Sequence, residues 1–452
     1  MENDLGRDPI RRLVLRIAVP SMLAQFVSVL YSVVDRMYIG NIPEVGNLAL
    51  AGAGVCGPLV TMIGSVAFLV GVGGSPLVSI RMGAGDNEGA KRILANCFVL
   101  LAGLAAALTA LAWATRRPVL LLFGASEASL PYAETYYSVY LTGTLFALLS
   151  TGMNQFIICQ GFAKKGMLSV LLGAVLNILL DPVFIFLLDM GVAGAALATV
   201  LSQLASCVFV LSFLFGRQPP VRITFGGYSL RLMGRVAAIG FTPFIIIAFD
   251  NVMIIALNSL LQKYGGAGQG DLLVAAATIA QSFMLVVTMP LGGITGGTGS
   301  ILGYNYGAGQ PGRILEAQKF ILLLCLGYTT LLFLIGQGAP GLFVAIFSSD
   351  GEVARLAAQA IRIYTLGVIP LAVQYTVIDG FTGMGMMQYA LPLSFFRKAI
   401  YFIPLFLLPM QFGAMSAFVA EPISDFVAPV ASAFVYWQRI RYVVGLKPKK
   451  AK

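Results

Sequence analysis

Apolar residues form long unbroken runs along this chain, and polar residues collect in the short gaps between them. Twelve runs are candidates to cross a bilayer: 13–39, 47–78, 94–115, 133–160, 168–188, 191–215, 236–262, 272–303, 318–337, 357–380, 389–409 and 412–437. A transmembrane helix needs about 20 apolar residues. No alternating strand pattern stands out. The pattern therefore predicts an all-α integral membrane protein of twelve transmembrane helices, not a barrel. Several runs exceed a single crossing, which predicts tilt or helical extensions beyond the lipid.

The runs fall into two sets of six. One glycine-rich stretch ends in Arg81-Met82-Gly83-Ala84-Gly85, and a second ends in Asn305-Tyr306-Gly307-Ala308-Gly309. Gly83 and Gly307 are 224 positions apart, about half the chain. Pro20 pairs with Pro243 at an offset of 223, and Gly161-Phe162 with Gly380-Phe381 at 219. The longest polar connection, 216–235, holds Pro219-Pro220 and four arginines at the chain's midpoint. It divides the sequence into a first lobe, 1–215, the linker 216–235, and a second lobe, 236–452, which ends in a basic tail. Six spans per lobe start both lobes on the same side. The repeat is thus parallel: two six-helix bundles related by a pseudo-two-fold axis along the membrane normal.

Composition adds the solvent. The chain is 58% hydrophobic and 11% charged, against about 25% charged for a soluble domain. Lipid must cover most of its surface. With the N-terminus in the cytoplasm, 23 of the 29 Lys and Arg residues fall on the cytoplasmic side and 6 on the outer side. That asymmetry predicts both termini in the cytoplasm. The net charge of +10 is spread over loops along one membrane face, which argues against a nucleic-acid partner. The five cysteines lie in apolar runs without metal spacing and read as small buried hydrophobes. Histidine is absent, so any proton relay must use carboxylates. The glycines of 71–85 and 292–309 lack the Gly-Lys-Ser/Thr of a phosphate loop and read as close helix packing. Without a nucleotide site, energy must come from an ion gradient or a separate subunit.

Ionisable groups inside hydrocarbon cost about 3 kcal/mol each and are functional candidates by default. Here they are Asp35, Asp181, Asp250, Asp379, Arg397, Lys398, Glu421 and Asp425. Asn177 and Asp181 are spaced i, i+4 and share one helix face, with Pro182 directly after. Asp35 lies on the first span, and Thr199 and Gln203 on the sixth. Two carboxylates, an amide and a hydroxyl make an all-oxygen site suited to Na⁺ or to protons. Plain polar packing between helices is the competing reading. At the offsets above, Asp35, Asn177 and Asp181 correspond to Asn258, Phe396 and Ile400, so the second lobe lacks this acid pair. In that lobe Glu421 and Asp425 are again i, i+4, with Arg397 and Lys398 on the preceding span. They read either as an internal ion pair or as part of a substrate cleft. Asp379, near a span end, reads as solvated. Tyr136, Tyr137, Tyr140, Met153, Asn154 and Gln155 lie on one long fourth span; Tyr137, Tyr140 and the last three are further cleft candidates, since aromatics and methionine suit flat lipophilic cations.

Taken together, these segments resemble the multidrug and toxic compound extrusion family. The carriers are Pro20 with Val33-Val34-Asp35, the paired Gly-Ala-Gly turns, Gln160-Gly161-Phe162, and Asn177 to Pro182 leading to Gly194 to Thr199. The resemblance covers the whole chain. It implies two six-helix bundles around a central cleft, no enzymatic activity, and antiport of organic cations against Na⁺ or H⁺ with no other cofactor. It implies a cation site at Asp35, Asn177, Asp181 and Thr199, which would be the metal ligands for Na⁺. It also implies a bend at Pro20 and a monomer in a bacterial plasma membrane. Two alternatives are a flippase for lipid-linked sugars, which would want several arginines in the cleft, and a scaffold or receptor that transports nothing.

Overall fold

The computed structural model describes residues 4–43, 45–123, 125, 127–265, 269–347 and 351–445. The tail residues Lys447, Lys449, Lys450 and Lys452 lie outside these. Among the described residues there is no strand. The first half contains α1 (Ile10–Gly40), α2 (Gly46–Gly83), α3 (Asn87–Leu122), α4 (Leu130–Thr142), α5 (Thr144–Ile158), α6 (Ala163–Pro182) and α7 (Gly191–Phe215). The second contains α8 (Leu230–Gly265), α9 (Gln269–Gly307), α10 (Pro311–Gly338), the short α11 (Pro340–Val344), α12 (Gly351–Thr365), α13 (Val368–Gly383), α14 (Met387–Phe412) and α15 (Ala420–Val443). Among the described residues, ten helices are long and apolar enough to cross a membrane. The pairs α4–α5 and α12–α13 bend by 57° and 51° and bring the number of spans to twelve. Span four is therefore two helices, not one. Its break falls at Gly143, whose Cα lies against the Val200 side chain of α7 with no room for a Cβ. Helix α8 begins at Leu230, so the last six residues of the connection expected at 216–235 are helical.

Backbone geometry fixes the register of the repeat. Gly85 and Gly309 have φ of +78° and +66°; Gly161 and Gly385 have +90° and +72°. Each pair is 224 residues apart. Such angles are left-handed, where a Cβ is strained, so glycine punctuates the turns. Gly161 thus corresponds to Gly385, not to Gly380, and α6 and α14 begin 224 residues apart at Ala163 and Met387. The offset of 219 was a false register, produced by the chance similarity of Gln160-Gly161-Phe162 to Asp379-Gly380-Phe381. In the corrected register Asn177 and Asp181 correspond to Tyr401 and Leu405, and the second half still lacks the acid pair.

The halves meet along a seam of small residues. Helix α2 packs on α8 and α9, and α1 packs on α9. A Cβ on Gly83 would strike the Tyr304 carbonyl, and one on Gly307 would strike the Ile80 carbonyl. Both the glycines and their targets are 224 apart, so α2 and α9 cross with the two-fold character of the repeat. Gly240 of α8 meets Leu69 in the same way, and Gly293 and Gly297 of α9 fit against Ser21 of α1. These close approaches all lie toward the end that carries the termini. At the other end, none of residues 25–38 of α1 or 243–252 of α8 is buried. The seam is packed at one end and open at the other.

Each half also ties down the lead-in to the other half's first helix. Before α1, Leu5 O accepts from Asn305 Nδ2 (3.0 Å) and Arg313 Nη2 (3.1 Å), and Asp8 O accepts from Arg313 Nη2 (2.9 Å). Before α8, Gly227 O accepts from Arg92 Nε (2.8 Å) and Asn96 Nδ2 (3.2 Å), while Ser229 N donates to Asn96 Oδ1 (2.8 Å). Val221 N donates to buried Gln160 Oε1 at 2.9 Å. The midpoint connection is thus held down over the last part of its course.

Candidate ion and substrate sites

In the first half, α1, α6 and α7 pack against one another and bring Asp35, Asn177, Asp181, Thr199 and Gln203 together. Asn177 and Asp181 share the inner face of α6, as their spacing requires. Pro182 lacks an N–H, and after it the helix passes into a π-helical turn, Val183–Leu187. Asp181 therefore sits where the regular ladder ends. Asn177 Nδ2 is 3.3 Å from Asp181 Oδ1 and 3.3 Å from Thr199 Oγ1. The Thr199 hydroxyl donates to Ala195 O at 3.1 Å, which leaves its lone pairs facing Asn177. The Asp35 and Asp181 carboxyl groups are within hydrogen-bonding reach of each other. Tyr31, one turn before Asp35, and Tyr136 of α4 border Asp35. Tyr31 was not picked out from the sequence; its i−4 spacing from Asp35 was the available signal.

The site has too many acceptors. Asp35 Oδ1, Asn177 Oδ1, Asp181 Oδ2 and Gln203 Oε1 are all buried without a hydrogen-bond partner. A buried unpaired polar atom costs about 1–3 kcal/mol, more when charged. Two bare carboxylates side by side repel as well. A proton or a small hard cation placed among them would satisfy both deficits. The donor set of carboxylate, amide and hydroxyl oxygens fits Na⁺. Among the described residues no group of three His, Cys, Asp or Glu side chains is placed to hold a metal ion.

The second half carries a different cluster. Arg397 of α14 donates to Asp425 Oδ1 from Nε (3.0 Å) and Nη2 (2.8 Å), and to Glu421 Oε1 from Nη2 (2.8 Å). This joins α14 to α15, the ion-pair reading of these residues. Lys398 takes no part in it and instead pairs with Asp250 of α8. Asp379 is half-buried, and Thr295 Oγ1 donates to its Oδ2 at 2.5 Å. Tyr375 lies among Arg397, Asp250, Asp379 and Asp425. Four acids face two cations here, and Asp425 Oδ2 is buried without a partner.

The cleft candidates of span four fall mostly inside the first half. Tyr137, Tyr140, Met153 and Asn154 are buried. Met153 belongs to the hydrophobic core, and Asn154 holds α5 to α6 through Gly166 O (3.4 Å) and Ser169 Oγ (3.2 Å). Tyr140 lies beside Gln203 at the edge of the acid site, and Gln155 is half-buried against Gly71 of α2. Pro20 lies within α1, which runs helically through it.

Comparison with known proteins agrees with this architecture. The model of the MatE family matches twice, over residues 20–183 and 244–407, the same 224-residue offset. The FAD transporter of Shewanella oneidensis is 25% identical over 438 residues, covering 94% of each chain. The multidrug export protein MepA of Staphylococcus aureus is 23% identical over 446 residues, 97% of this chain and 96% of that one. A solved outward-facing conformation of a multidrug resistance MATE family transporter of the MOP superfamily has a TM-score of 0.90 at 23% identity, covering 97% and 98%. A Pyrococcus furiosus transporter of that superfamily, described as having a binding pocket of reverse polarity, has the same score, identity and coverage.

Proposed function

The chain belongs to the MatE family of multidrug and toxic compound extrusion transporters, and from that premise we propose that it is a secondary antiporter exporting amphipathic, often cationic, organic compounds in exchange for Na⁺ or H⁺. The observation that carries this reading is the group of four partnerless buried oxygens around Asp35 and Asp181. Carboxylate and amide oxygens that converge without a protein donor are the surroundings a coupling cation requires. The excess of basic residues at the terminus-bearing end supports reading that end as cytoplasmic, in a membrane we take to be a bacterial plasma membrane from the similarity to MepA. The packed seam then closes the inner side, and the open end faces out.

In this orientation an external cation reaches the acid pair through the open end. Its charge offsets the two carboxylates and draws α1 toward α6 and α7. That movement would loosen cargo held between the halves. Return to the inward-open state releases the cation to the cytoplasm, and the cycle repeats by alternating access. All the groups involved lie on one chain, so a monomer suffices.

The test is efflux of a cationic dye from proteoliposomes, with Na⁺ and pH gradients imposed separately. One gradient should drive efflux in the native protein and neither in D35N or D181N. Dye movement indifferent to both gradients would refute ion coupling. No dye movement at all would favour the non-transporting alternative. The similarity to a FAD transporter makes FAD the informative second cargo. The C-half cations speak against an anionic cargo or a lipid-linked sugar, because Arg397 and Lys398 are already matched by acids.

A further inference from the structure

At the foot of α1, where it packs on α6, a surface cavity of about 370 Å³ is lined by Arg12, Leu15, Arg16, Val19, Pro20 and Lys164. Three of these residues are cations, three are apolar and none is acidic. Among the described residues Arg12 and Lys164 have no acidic partner, and Arg16 has only the long contact to Asp8 at 3.8 Å. Above the cavity each helix presents an exposed apolar stripe. On α1 it is Leu15, Val19 and Leu23; on α6 it is Leu168, Leu172 and Val175, with Lys164 one turn before Leu168. The i, i+4 and i, i+3 spacings keep each stripe on one face. In a chain that spans the membrane these stripes face hydrocarbon, and the cations sit at the level where the apolar run begins.

We propose that this cavity binds one anionic glycerophospholipid, its phosphate among Arg12, Arg16 and Lys164 and its acyl chains along the two stripes. Surplus positive charge selects an anionic head group over a zwitterionic one. The apolar walls select a lipid over a soluble anion, which would gain nothing from Leu15 and Val19. The position has a mechanical consequence. Pro20 has no N–H, so the Arg16 carbonyl loses its helical donor there. A lipid seated on both would brace α1 against α6 at the weakest turn of α1.

The test is native mass spectrometry of the full chain in detergent, titrated with phosphatidylglycerol or phosphatidylcholine. The comparison is between R12Q/R16Q/K164Q and a control, R7Q/R11Q/K165Q, that removes three neighbouring cations outside the cavity. One phosphatidylglycerol should be retained in preference to phosphatidylcholine by the native chain and by the control. The cavity variant should bind it about 100-fold more weakly, at about fivefold for each of the three charges near the surface. Should that variant fail to fold, K164Q alone, an exposed position, should lose about fivefold. Equal retention of both lipids, equal loss in the control, or displacement by millimolar inorganic phosphate would each overturn the proposal.

Discussion

The acid pair makes a prediction whose sign separates a coupling site from polar packing. The perturbation is D181N, which keeps shape and removes one charge from a fully buried position. A monovalent cation about 4 Å from a carboxylate gains roughly 4 kcal/mol at an effective dielectric near 20. Losing one of two such partners weakens the ion by about 1000-fold. In the native protein an ion at 100 times its Kd adds about 2.7 kcal/mol of stability. In D181N the same concentration adds almost none. Without the ion the order reverses: the variant should be at least as stable as the native chain, because a like-charged neighbour has been removed. The assay is thermal unfolding in detergent, with Na⁺ varied at fixed pH and pH varied without Na⁺. If Asp181 served only to hold α6 to α7, D181N would be less stable under every condition and the ion response would survive. That outcome would refute the coupling role.

Other expectations follow from the seam, the second cluster and the ties. In G307V the branched side chain meets the Ile80 carbonyl; the packed end should open at an overpacking cost of about 1–3 kcal/mol, visible as a longer spin-label distance between the terminus-side ends of α2 and α9. R397A leaves buried Asp425 and half-buried Glu421 without their cation and should cost about 3–5 kcal/mol in thermal unfolding, whereas R397M/E421Q/D425L should recover most of it. R92A/R313A removes a donor from each tie and should raise the population open at the terminus-bearing end by the same spin-label measure, with folding intact.

Much of the architecture was written in the hydropathy, because lipid tolerates few alternatives to an unbroken helix. The proximity of Asp35, Asn177, Asp181 and Thr199 was legible for a related reason: ionisable groups in apolar runs are costly, and i, i+4 spacing names a shared face. What the sequence hid depends on backbone conformation and on distance along the chain. The bends at Gly143 and between α12 and α13 leave hydropathy unchanged, so each pair read as one span. The register of α14 rests on the left-handed turn at Gly385, which composition does not show; the more conspicuous Gly380-Phe381 misled by five residues. Lys398 stands beside Arg397 in sequence but points to another helix, and its partner Asp250 is 148 residues away. Met153 and Asn154 illustrate the converse, since a residue type suited to a cleft is equally suited to a core.

The reciprocal ties at α1 and α8 bear on how such a molecule could stay whole. Each half grips the other's leading segment by main-chain carbonyls, atoms that no substitution in that segment can delete. A nick near Arg217 to Pro220 would leave every one of those grips and the entire glycine seam in place. The covalent thread between the halves is therefore expendable, and two separately made polypeptides could assemble as though the chain had never been cut.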